Sequence, residues 1–117
     1  MIIKSQRVKK AILTALADDE MIKILDSVGN QAKSVRDIIS EKNIPYTNAY
    51  RKTKWLIAEK LLVIDEIIIT PDGKKFSLYR SVLSSINVRY AGNEIIVEAE
   101  QSFNPKIRTI QRFFSLE

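Results

Sequence analysis

A chain of 117 residues with 45% hydrophobic side chains and a formal net charge of +5 has the length for one modest core and is too apolar for wholesale disorder. It contains no Cys and no His, which excludes disulfides, imidazole general bases, and thiolate or imidazole metal sites. The sequence pI of about 9.5 fits a polyanionic partner.

The opening "MIIKSQRVKK" has only Met1-Ile2-Ile3 ahead of its charges, which does not make a signal peptide. No apolar run approaches the ~20 residues of a membrane span. A soluble, cytoplasmic protein without a membrane partner is expected. Residues 5–17 carry Val8, Ala11, Ile12, Ala15 and Leu16 at helical spacing, predicting an N-terminal helix. Asp18 or Asp19 caps a second helix with the stripe Met21, Ile22, Ile24, Leu25 and Val28. Gly29-Asn30 ends it, since both residues tolerate a left-handed cap. Ser34, with Asp37 three residues on, makes a capping box for a third helix carrying Val35, Ile38 and Ile39. Asn43-Ile44-Pro45 breaks that helix, and Tyr46 or Thr47 opens a fourth.

After Leu62 the period changes from helical to extended. "VIDEIIIT", "PDGK" and "KFSLYRSV" read as a hairpin, with Phe76, Leu78 and Val82 on one side and a type I turn at Pro71 and Gly73. A second hairpin flanks "AGN"; Ile86, Val88 and Tyr90 face one way, as do Ile95, Val97 and Ala99. Its Glu94, Glu98 and Glu100 form an acidic edge, suited to a protein partner or a basic terminus. Asn104 and Pro105 start a last helix with Ile107, Ile110 and Phe114 on one stripe. The expected class is α+β, a single domain over 1–117. It comprises an N-terminal helix (5–17), a helical and hairpin core (18–82), a second hairpin (84–100) and a C-terminal helix (104–116).

Helix, short turn, helix and then a basic-tipped hairpin is the order of a winged helix-turn-helix domain. Across residues 18–82 the chain resembles the winged-helix core of ArsR-type and related archaeal transcription regulators. The likeness is carried by the acidic cap before "ILDSV", then "SVRDI", then "IPYTNAYRKTKWLIAEKLL", then "DGK" at a wing tip. It implies a fold with a recognition helix at about 46–60. Tyr46, Thr47, Asn48, Tyr50, Arg51 and Lys54 occupy its DNA-facing positions. Where these families usually place Gly before the final apolar pair, this chain has Lys60. A left-handed Lys there costs roughly 1 kcal/mol over Gly. The metal-sensing members bind through Cys or His, so "DDE" at 18–20 is read as a helix cap rather than a metal site.

Helical geometry supports the same face independently. At ~100° per residue, Ala49, Thr53, Leu56 and Ile57 share one side of the fourth helix, and Thr47, Arg51, Lys54 and Ala58 the other. Arg51 suits bidentate contact to guanine and Asn48 pairing with adenine. Lys74 and Lys75 lie at the hairpin tip, where phosphate contact and a plain solvated turn compete. Arg36 reads as a solvated charge, and Trp55 as a core residue rather than a base-stacking one. The expected function is a transcription regulator binding double-stranded DNA, without cofactor. The terminal helices either build a two-fold homodimer or cap the monomer's core. The alternatives are a winged-helix protein-interaction module and a backbone-only chromatin binder. An enzyme is not expected, because the sequence has no nucleophile–base pair and no phosphate cradle among its three Gly.

Overall fold

A computed structural model of the chain describes residues 1–102; the helix expected over 104–116 lies outside the described residues. The described part is α+β. Four helices, α1 (Gln6–Leu16), α2 (Asp19–Ser27), α3 (Val35–Lys42) and α4 (Tyr46–Ala58), precede four strands, β1 (Leu62–Ile69), β2 (Lys75–Ser81), β3 (Leu83–Ala91) and β4 (Glu94–Gln101). The strands form two antiparallel hairpins, β1–β2 and β3–β4. This order is compatible with a winged-helix-like arrangement. No helix among the described residues is long and apolar enough to cross a membrane.

The helix starts follow from local chemistry. Ser5 accepts from Val8 N, Asp18 from Met21 N, and Ser34 with Asp37 closes a reciprocal capping box. Each satisfies a backbone N–H that the first helical turn leaves without a partner. The end of α2 differs from expectation. The helix stops at Ser27, and neither Gly29 nor Asn30 is left-handed. Val28 is fully buried and its carbonyl accepts from Ser81 N at 3.0 Å. Pairing with β2, rather than a glycine cap, turns the chain there.

The end of α4 is left-handed. Lys60 has φ 63°, Lys60 N donates to Ile57 O, and Leu61 N donates to Leu56 O at 2.9 Å. That is a Schellman motif with Lys in the position Gly usually takes. Leu56 and Leu61 are both buried, so the apolar contact accompanying the motif offsets the conformational cost.

One core joins all these elements. Ile3, Ile12, Ile24, Val28, Ile38, Leu56, Val82 and Val97 are its largest fully buried side chains, each contributing roughly 1.5–3 kcal/mol by burial. Trp55 is partly buried against this cluster, the packing role expected of it. The stripe of α1 is likewise spent inside the monomer, where Val8, Ala11, Ile12 and Ala15 are all buried.

The hairpins attach to the core differently. At the base of the first, Lys33 and Tyr79 exchange backbone hydrogen bonds of 3.0 and 2.8 Å, and beyond that bridge the strands project. Thr70 to Gly73 form the turn, with Gly73 N donating to Thr70 O and Gly73 at φ 84°. This is a type I turn followed by a left-handed glycine. Phe76, expected on the side of Val82, is exposed, whereas Val82 is buried. The β1–β2 ladder runs past the edge of the core before it reaches Phe76. The second hairpin turns on Gly92 and Asn93, both at positive φ, the two-residue geometry that matches strand twist. Ile3 N donates to Val97 O and Ala99 N to Met1 O, each at 2.8 Å. Residues 1–3 thus lie along β4 through an isolated antiparallel bridge between Ile2 and Glu98.

Candidate nucleic-acid interface

The rotation of α4 is set by three buried side chains and two polar anchors. Ala49, Thr53 and Leu56 face the core, as the helical spacing predicts. One turn away, Lys52 Nζ lies 2.8 Å from both Asp18 Oδ2 and Glu20 Oε1, with only 11% of its side chain exposed. Asn48 Nδ2 donates to Glu20 Oε1 at 3.1 Å. The hydrogen bonds from Lys52 hold both carboxyls below their ordinary range and its own ammonium above its ordinary value. Asp18 also caps α2, so a single cluster ties the starts of two helices together.

This cluster changes one assignment. Asn48, expected to face DNA and pair with adenine, has its amide held on Glu20 and is half-buried. It acts here as a positioning residue. Lys52, which the face count passed over, is the other anchor. The signal for both is a long-range one, an acidic pair about thirty residues earlier in the chain.

The opposite side of α4 is open. Tyr46, Thr47, Tyr50, Arg51 and Lys54 are all exposed. Among the described residues, Arg51 and Lys54 have no salt bridge, in contrast to Lys33, Lys42 and Lys52. Arg36 on α3 is also exposed and without a salt bridge there. The rings of Tyr46 and Tyr50 lie 4.6 Å apart at 42°, and desolvation pushes the Tyr50 phenol up. The N-cap of α4 is Pro45, which provides no side-chain hydrogen bond. Its first amides are therefore without the side-chain caps that serve the other three helices.

Between α4 and the base of the first hairpin runs a groove of about 410 Å³. Tyr50, Arg51 and Lys54 form one wall, Ile64 and Tyr79 the other, and Val35 with Ile57 the floor. At the hairpin tip Lys74 and Lys75 are exposed; Lys74 Nζ lies 3.9 Å from Asp72 Oδ2, a weak surface pair, while Lys75 has no salt bridge among the described residues. The acidic side chains of the second hairpin, Glu94, Glu98 and Glu100, are exposed on the face opposite Ile95, Val97 and Ala99. Of the eight residues matched to DNA-facing or tip positions, seven are exposed and Asn48 is engaged elsewhere. No protein-family model matches this chain, and a search of curated proteins returns no match.

Proposed function

We propose that the protein is a winged helix-turn-helix transcription regulator that binds double-stranded DNA. In this reading α4 is the recognition helix in the major groove, and the β1–β2 hairpin is the wing that meets the backbone. The observation that carries the reading is the division of α4. Its polar residues at 48 and 52 are consumed by α2, which fixes the helix so that Tyr46, Thr47, Tyr50, Arg51 and Lys54 face outward. An outward face fixed in this way can enter a groove about 12 Å wide without first reordering.

The roles follow from the chemistry of each group. Arg51, planar and without a salt-bridge partner among the described residues, supplies two parallel donors to the O6 and N7 of guanine. Lys54, Lys74 and Lys75 neutralise phosphates, as does Arg36 where the backbone passes α3. Thr47 and the open amides of α4 donate to a phosphate oxygen, where the helix dipole favours negative charge. The apolar stripe of α1 lies in the monomer's core, so a two-fold homodimer would draw on the C-terminal segment.

Replacing Arg51 by Ala is expected to weaken binding to a selected operator by ~1–3 kcal/mol and relax preference at one base position. Equal affinity of parent and variant across all single-base operator variants contradicts the role. The runner-up, a protein-interaction module, draws on the second hairpin, where Glu94, Glu98 and Glu100 are exposed and Val88, Tyr90 and Ile95 lie uncovered on the other face. It requires negligible affinity for duplex DNA at low salt.

A further inference from the structure

The β1–β2 ladder contains one irregularity, and it decides what the wing presents. Ile64 pairs with Tyr79, but Glu66 pairs with Leu78, so Asp65 is an extra residue in β1. Side chains alternate along a strand. Without the extra residue, Ile67 and Ile69 would point away from the side that carries Ile64. With it, Ile67 pairs with Ser77 and Ile69 with Lys75, which are on the same face of β2 as Tyr79. Ile64, Ile67 and Ile69 therefore share the face of Tyr79, and Ile64 and Tyr79 line the groove against α4. Bulges re-aim side chains in this way and are built features of a strand.

The face so made is apolar and exposed among the described residues. Ile64 is 45%, Ile67 58% and Ile69 64% exposed. It continues from the groove wall of Ile64 and Tyr79, across from Arg51 and Lys54 on α4, and Lys75 sits opposite Ile69 in the register. An aliphatic row with cations at both ends fits a groove floor between two lines of phosphate. Resting on the reading of the protein as a DNA binder, we propose that Ile67 and Ile69 enter the minor groove beside the α4 site and wedge a base step, bending the duplex. Lys54 holds the near backbone and Lys75 the far one. Apolar wedges of this kind unstack a step and kink DNA toward the major groove, most cheaply at flexible pyrimidine–purine steps. The wing then contributes to selectivity through deformability, at positions where no hydrogen bond is read.

The test uses the full chain and a short duplex carrying a donor and an acceptor dye at its ends, with anisotropy recorded on the same samples. Binding should raise energy transfer by the amount expected for a bend of roughly 20–90°. The Ile67→Ser, Ile69→Ser double variant should bind with an unchanged salt slope, since no charge is lost, but without the gain in transfer. The Ile67→Leu, Ile69→Leu variant should keep it. Binding without a gain in transfer, or a gain that survives the double Ser variant, overturns the wedge and leaves the DNA reading intact. Absence of binding by anisotropy defeats the DNA reading itself. If the Ser variant instead dissociates an oligomer of the free protein and leaves DNA bending unchanged, the face is a protein interface and the wedge is overturned.

Discussion

The two hairpins of this chain are alike in local construction and opposite in use. Each is antiparallel, each contains a register shift, and each closes on a glycine with positive φ. The second is integrated: residues 1–3 bridge to β4 with Ile3 fully buried, and Val97 and Ala99 lie in the core. Among the described residues the first is held at its base, through the Lys33–Tyr79 bridge and the buried Leu62 and Ser81, and extends outward with its isoleucines exposed. A hairpin buried by its own chain serves stability. One that leaves apolar and basic side chains exposed among the described residues offers a surface for a partner.

That contrast is easily broken if it is wrong. The largest effect is expected on the integrated side. Ile3→Ala should cost about 2–5 kcal/mol of stability, because Ile3 is fully buried and the vacated space is walled by a rigid core. Chemical denaturation measures it. A change of a few tenths would mean that the packing of residues 1–3 on β4 is dispensable. Ile69→Ala, on the projecting side, should change stability by no more than ~0.5 kcal/mol in the same assay.

The anchor of α4 gives the next effect. Lys52→Met should lower the melting temperature at neutral pH, since it leaves Asp18 and Glu20 without their cation. Both carboxyls are held low by Lys52, so their contribution is present above the ordinary values of 3.8 and 4.5 and is lost as pH falls through the lower folded values. Lys52 is held high, so its contribution is complete below 10.5 and lost as pH rises through its folded value. The parent–variant difference should thus be greatest between about pH 4.5 and 10.5 and close in acid. A difference that persists unchanged at pH 2 would contradict the anchor. The smallest effect belongs to the tip of the first hairpin. Lys75→Ala should weaken all duplexes alike and lessen the salt slope by about one unit.

Much of this arrangement was legible in the residues. The Ser34–Asp37 box, the Asp18 cap, the Pro71–Gly73 turn and the stripe of Ala49, Thr53 and Leu56 are local signals, confined to a few neighbouring positions, and each appears where the sequence predicts it. What escaped the sequence is non-local. Asn48 looked free because its partner Glu20 lies 28 residues earlier. Gly29 looked like a cap because nothing nearby announces that Ser81 will claim the Val28 carbonyl. The bulge at Asp65 has no marker in "LVIDEIII", where simple alternation assigns Ile67 and Ile69 to the wrong face. The candidate site was therefore visible as a set of cations on one helix, whereas the anchors that orient that helix were not.

The measurement that bears most directly on the proposed function is the affinity of the purified protein for random duplex DNA at several salt concentrations, by fluorescence anisotropy. On random duplex, where Arg51 meets no selected guanine and lies against phosphate, three to five of Arg36, Arg51, Lys54, Lys74 and Lys75 neutralising phosphates should make log affinity fall against log salt with a slope of about −3 to −4.5. Removing Arg51 and Lys54 together should lessen that slope by about two units. Undetectable binding at low salt, or a slope that ignores the loss of both cations, would contradict a DNA-reading face on α4.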